Sequence, residues 1–91
     1  MIEQELWELR KQYSTDNYVR LRHRFANKQW QHYKGNVYIT TAVLWDATQD
    51  EWSVVYVRKD DRFGVRFCRT ISDWCARPFV GDDKTERFTE L

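Results

Sequence analysis

The chain has 91 residues, a formal net charge of +1, 42% hydrophobic residues and 16% aromatic residues. That length makes one domain, and the hydrophobic share with only three Gly and one Pro excludes a disordered linker. The near-neutral charge excludes an overall field that would drive the chain onto nucleic acid or membrane.

Ile2, Leu6, Leu9 and Tyr13 fall at steps of four, three and four, which predicts an amphipathic helix over Met1–Tyr13. Glu3, Glu5 and Glu8 crowd its front and Arg10 and Lys11 its rear, matching the helix dipole. Ser14-Thr15-Asp16-Asn17 breaks the pattern. From Tyr18 to Phe25 the text reads two ways. Tyr18, Leu21 and Phe25 suit a second helix capped by Thr15 or Asp16, whereas Val19, Leu21, His23 and Phe25 alternate with three arginines as in a strand. The capping residues favour the helix.

After Lys34-Gly35-Asn36 the period becomes two. Val37, Ile39, Thr41, Val43 and Trp45 are placed on one face of a strand, and Tyr38, Thr40, Ala42 and Leu44 on the other. Trp52–Arg58 makes a second strand and Phe63–Arg69 a third, with Ser72 and Asp73 placed to cap one helical turn carrying Trp74. Short strands are also expected at 77–80 and 87–89. Strands this short and evenly spaced predict a mainly β fold: a small antiparallel barrel over 29–91, preceded by a basic helical arm over 1–28. Residues 1–35 hold seven Lys/Arg against four Asp/Glu, and residues 36–91 hold eight against ten.

Mean hydropathy is −0.82 and no apolar run reaches the ~18 residues of a membrane span. Met1-Ile2-Glu3-Gln4-Glu5 is acidic where a signal peptide would be basic, so the expected compartment is cytoplasmic and Cys68 and Cys75 are expected as reduced thiols.

The region from His32 onward resembles a family of small bacterial and phage proteins known only as a domain of unknown function. The resemblance rests on His32-Tyr33-Lys34-Gly35-Asn36-Val37-Tyr38, Val54-Val55-Tyr56, Phe67-Cys68-Arg69-Thr70-Ile71 and Arg87-Phe88. Phe67 stands where the family has Trp, Thr70 where it has Pro, Trp74 where it has Phe, and Asp46 where many members have His. The resemblance implies an SH3-like barrel. It implies no function and supplies no counterpart for the helical arm.

The chemistry is sparse. Cys68 and Cys75, and His23 and His32, are too far apart to make local zinc pairs, and no phosphate-cradling glycine loop or nucleophile motif is present. No cofactor and no metal are expected. Asp60-Asp61 and Asp82-Asp83 read as solvated turn acids. Arg20, Arg22 and Arg24 would grip phosphates if lined up on a strand; on a helix they spread around the axis.

Arg69 is the most informative residue, because alternation puts it on a face with Phe63, Val65 and Phe67, beside a strand carrying Trp52, Val54 and Tyr56. A charge aimed along an apolar face must be paired. Either a carboxylate such as Asp46 or Asp73 holds it, or its fork awaits a ligand phosphate or carboxylate. The second reading makes Arg69, Tyr56, Trp45, Trp52, Tyr33 and Arg24 the candidate ligand-binding residues of an Arg-and-aromatic cleft for a small anionic, nucleotide-like ligand.

That reading describes a non-catalytic binder, in a phage setting one that sequesters a host signalling nucleotide. The alternative is a protein- or nucleic-acid-interaction module using the barrel and the basic arm. An enzyme ranks last. Ile2, Leu6, Trp7 and Leu9 also offer an apolar patch that must dock on its own barrel or build a homo-oligomer, and a homo-oligomer is the expectation.

Overall fold

The computed structural model describes residues 4–91. Helix α1 (Gln4–Leu9) and helix α2 (Thr15–Phe25) lead into strand β1 (Lys28–His32), followed by β2 (Val37–Asp46) and β3 (Glu51–Arg58). A 3-10 turn (Lys59–Asp61), strand β4 (Arg66–Thr70), helix α3 (Ile71–Cys75) and strand β5 (Phe88–Glu90) complete the order. The strands form one antiparallel sheet in the order β4-β3-β2-β1-β5. Its two edges, β4 and β5, do not pair with each other. The expected mainly β antiparallel architecture is present, but the sheet is not closed into a barrel.

Residues 18–25 are helical. Ser14, rather than Thr15 or Asp16, is the N-cap, its hydroxyl accepting the Asn17 N–H at 3.1 Å. Leu21 and Phe25 are fully buried, and Arg22, His23 and Arg24 occupy the last turn, where cations offset the dipole. Helical twist also removes the row of arginines that a strand would have made. Arg20 pairs with Glu5 at 3.0 Å, Arg22 lies 5.4 Å from the Tyr18 ring, and Arg24 pairs with Glu90 at 2.9 Å.

Helix α1 is shorter than its periodicity predicts: Tyr13 lies beyond it, and the expected helical start, with Ile2, lies outside the described residues. Leu6 and Leu9 are buried against the rest of the chain. The segment after α1 is clipped along β3, where the Trp52 N–H donates to the Arg10 carbonyl at 2.8 Å and the Trp52 indole N–H to Gln12 at 2.9 Å. Glu51 is buried, with its carboxylate accepting the Ser72 N–H at 2.7 Å and the Ser72 hydroxyl; Arg10 Nε reaches the same hydroxyl at 3.1 Å. A buried carboxylate held this way is satisfied rather than reactive.

The strands depart from expectation in four places. Strand β1 has one large apolar residue among polar neighbours, Lys28-Gln29-Trp30-Gln31-His32, so its period was not legible. Residues 77–80 are turn and bend instead of strand, and β4 begins at Arg66, leaving Phe63 and Val65 outside it and exposed. In β2 the register shifts between Thr40 and Ala42, a bulge that inserts one residue. Tyr38 and Thr40 therefore share a face with Val43 and Trp45, not with Ala42 and Leu44.

That face gathers Trp30, Val43, Trp52, Val54, Tyr56 and Phe88 beneath Leu21 and Phe25 of α2 and Ile71 and Trp74 of α3. Thr40, fully buried, accepts the Trp30 indole N–H at 3.1 Å and donates to the Phe25 carbonyl, tying the end of α2 to the sheet. Thr70, not Ser72 or Asp73, caps α3 by accepting the Asp73 N–H at 3.2 Å.

Candidate functional site

Pairing across the sheet brings together residues that lie far apart in sequence. His32 sits opposite Phe88, and Tyr56 opposite both Thr40 and Phe67. On the α2 face this assembles His32, Tyr38, Tyr56, Phe67 and Phe88. His32 lies 5.0 Å from Phe88 and 6.2 Å from Tyr38, Tyr38 lies 5.2 Å from Tyr56, and Tyr56 stacks on Phe67 at 5.5 Å. Trp74 of α3 closes the cluster from behind, stacked on Phe88 at 3.8 Å with the planes 5° apart.

Arg69 enters this cluster with partners. Its Nε donates to the Tyr56 hydroxyl at 2.7 Å and its Nη1 to Asp73 at 2.7 Å, across one turn between β4 and α3. Asp73, one of the two carboxylates the sequence offers it, is thus the partner; Asp46 instead accepts N–H groups of its own turn. Burial by itself would lower the Arg69 pKa, but hydrogen bonding and charge from Tyr56 and Asp73 outweigh it and hold the guanidinium above its ordinary value. Burial pushes the Tyr56 phenol up, against the opposing pull of Arg69. Nη2 of Arg69 has no hydrogen-bond partner among the described residues.

The turn after β1 adds more cations. The Lys34 N–H donates to His32 Nδ1 at 3.2 Å, which leaves the proton of the neutral ring on Nε2. Gly35 supports this turn with φ of +111°, a value that side chains disfavour. Tyr33 packs against His32 at 4.5 Å, with Lys34 Nζ 5.8 Å and the Arg87 guanidinium 5.9 Å from its ring. Burial first, then the charges of Arg69, Arg87 and Lys34, hold His32 below the usual histidine pKa. Behind Phe88 lies a crevice of about 70 Å³ lined by Trp30, Trp74, Cys75, Arg77, Glu86 and Arg87. Burial raises the Cys75 thiol to about 12, leaving it a poor nucleophile at neutral pH.

Of the six candidate ligand residues, Arg69, Tyr56 and Tyr33 join this neighbourhood. Trp45 and Trp52 do not. They meet at 5.2 Å near the opposite end of the same strands, with Tyr13. Arg24 lies apart, paired with Glu90 and 5.2 Å over Trp30. Sequence reasoning left His32, Lys34 and Arg87 out of the candidate set, although all three stand within the motifs that carried the resemblance. Among the described residues no three His, Cys, Asp or Glu side chains gather as a metal cage, and no helix is long and apolar enough to cross a membrane.

The fold and the site define a small antiparallel sheet domain, packed under helices, with a cation-rimmed aromatic cluster on its inner face. Residues 28–90 match the family described as "Protein of unknown function (DUF1653)", and the chain belongs to that family. No curated protein and no solved structure matches it. Both helices that cover the sheet's inner face from the N-terminal side precede the matched region.

Proposed function

We propose that the chain is a non-catalytic binding module that captures a small anionic, nucleotide-like ligand at the rim formed by His32, Tyr33, Lys34, Arg69 and Arg87. The observation that carries this reading is the gathering of three cations around the rings that flank His32: Arg69 lies 5.7 Å from Phe88, and Lys34 and Arg87 lie 5.8 Å and 5.9 Å from the partly covered Tyr33. Charge-assisted contacts from Arg and Lys suit a phosphate, and the ring faces of Tyr33 and Phe67 suit a planar base. Capture of this kind needs affinity and no chemistry. In a phage setting it would serve to sequester a host signalling nucleotide within the cytoplasm.

The arrangement favours this over a nucleic-acid module built on the basic arm, because Arg20, Arg22 and Arg24 are engaged with Glu5, Tyr18 and Glu90. The test begins with mass spectrometry of the supernatant from denatured protein purified from cells, searching for a co-purified nucleotide. Titration calorimetry with the nucleotide found, or with a panel of nucleoside phosphates, follows on the wild type and on Lys34→Gln, an exposed change. A bound nucleotide whose affinity falls about tenfold or more in the variant is the expected result. Absence of any nucleotide binding, or binding unchanged in both Lys34→Gln and Arg69→Lys, overturns the reading.

A further inference from the structure

The expectation of self-association began with the apolar face of α1, yet Leu6 and Leu9 are covered by their own chain. Exposed apolar residues lie elsewhere, and three of them fall in a row along one edge of the sheet. Phe63 is 92% exposed, Val65 65% and Phe67 37%, alternating along β4 and the residues that lead into it. Strand β4 is an edge of the sheet, paired with β3 on one side. On its other side no described residue pairs with it, and Arg66, Phe67 and Cys68 are all exposed.

Sheet edges carry unpaired N–H and C=O groups and are templates for further strands unless something blunts them. The devices that blunt an edge are charged side chains, lysine above all, proline, a bulge, shortness or a covering element. Here that protection is partial: Arg66–Thr70 carries two charges, Arg66 and the Arg69 that turns inward to Tyr56 and Asp73, but it holds no Lys or Pro, its pairing with β3 runs without a register shift, and among the described residues no element covers Arg66, Phe67 or Cys68. The opposite edge, β5, is blunted by its three-residue length and by Glu90, which pairs with Arg24.

We propose that β4 pairs antiparallel with β4 of a second copy of this chain, about a two-fold axis at Cys68, joining the two sheets into one. Cys68 is the midpoint of Arg66–Thr70, so this register overlaps the whole strand. It also matches chemistry. Each Arg66 falls opposite the partner's Thr70, and each Phe67 opposite the partner's Arg69, a cation beside a ring. Centring the pair on residue 66 or 69 would instead set an arginine against itself, which is destabilising. Isologous contacts of this kind close into dimers rather than growing into fibres. Because Arg69 belongs to the cation rim, the partner's Phe67 would add an aromatic wall beside it; the dimer nonetheless stands or falls without any ligand.

The test uses the full chain. Residues directly opposite in antiparallel strands have Cα atoms ~4.5–5.5 Å apart, within the ~4.4–6.8 Å that a disulfide spans. Diamide treatment should therefore convert the protein to a reducible, Cys68-linked dimer that forms in Cys75→Ser and is lost in Cys68→Ser. Without oxidant, sedimentation equilibrium at roughly 100 µM should report a dimer. Cys68→Lys, at an exposed position, should weaken association about tenfold or more while keeping the circular dichroism of the wild type. A monomer at that concentration overturns the proposal. So does a dimer that resists Cys68 cross-linking and is unmoved by Cys68→Lys, since it must use another surface.

Discussion

Tyr13, Tyr18, Trp45 and Trp52 pack near one end of the sheet's inner face as closely as His32, Tyr38, Tyr56, Phe67 and Phe88 pack near the other. Tyr13 and Trp52 lie parallel at 6.1 Å, Trp45 meets both edge-on, and Tyr18 stacks on Trp52 at 5.8 Å. The groove beside them measures about 360 Å³, against about 70 Å³ for the crevice behind Phe88. Room alone would choose the first cluster. Charge chooses the second, where Arg69 faces Phe88 and both Lys34 and Arg87 face Tyr33; at the first, Arg22 lies beside Tyr18, while Arg10, joined to Trp52 through its carbonyl, has its guanidinium on Trp7 and Ser72. Rings supply area wherever they cluster, but an anion site needs donors that the fold has brought together and left partly unspent. The contrast also separates roles: the first cluster fastens the N-terminal segment to the sheet, through Trp52 and Gln12.

The largest expected effect falls on the core behind the second cluster. Trp74 is 3% exposed and stacks on Phe88, so Trp74→Ala should cost ~3–5 kcal/mol in chemical denaturation. Trp45 is only half-buried, and Trp45→Ala should cost ~1–2 kcal/mol. Equal losses would erase the distinction drawn between the packed wall behind the second cluster and the open groove beside the first.

Next comes Arg69, whose partners make it structural whatever else it does. Arg69→Met removes the donor to a buried Tyr56 hydroxyl and leaves that group unsatisfied, an expected loss of ~1–3 kcal/mol. Double substitution with Tyr56→Phe should recover part of this, because removing both partners leaves nothing unpaired. If the double variant is less stable by the full sum of the single changes, the Arg69–Tyr56 bond contributes nothing measurable.

Gly35 sharpens the same comparison at the turn that presents His32 and Lys34. Its φ of +111° disfavours a side chain although nothing lies within 4 Å of a Cβ there, so Gly35→Ala should cost ~1–2 kcal/mol through backbone strain alone. An unchanged melting temperature would mean that the turn relaxes, and that the Lys34 N–H to His32 bond does not depend on it.

How much of this was legible follows from what each residue's neighbours announce. Strands β2 and β3 carry strong periods and could be read directly, whereas the text of α2 suits a helix or a strand and only the capping residues before it favour the helix. The pairing of Arg69 with Asp73 was also within reach, as four residues separate them. The bulge at Thr41 was not, since alternation through 37–45 looks unbroken in the text and only pairing with β3 reveals the extra residue. Strand β1 was hidden by its polar composition, and with it the position of His32 beside Phe88. Face alternation placed Tyr56 near Arg69, but nothing local states that Trp45 and Trp52 lie at the far end of those strands. His32, Lys34 and Arg87 carried a signal of another kind, their place in the family motifs.

The smallest effect is a titration, and it tests the charge of the rim directly. Burial and the three neighbouring cations hold the folded His32 pKa below the ordinary histidine value of about 6.5. The folded state therefore resists a proton that the unfolded chain accepts. The resulting contribution to stability is complete above about pH 6.5 and declines as pH falls from there through the lowered folded value. Proton NMR of the His32 ring should report that low pKa. Arg87→Gln removes one of the cations and should move the His32 midpoint upward. Inorganic phosphate at the rim should move it the same way, by neutralising the charges that oppose protonation. A His32 midpoint that ignores both changes would mean that burial alone sets it, and that Arg87 does not share a field with the imidazole.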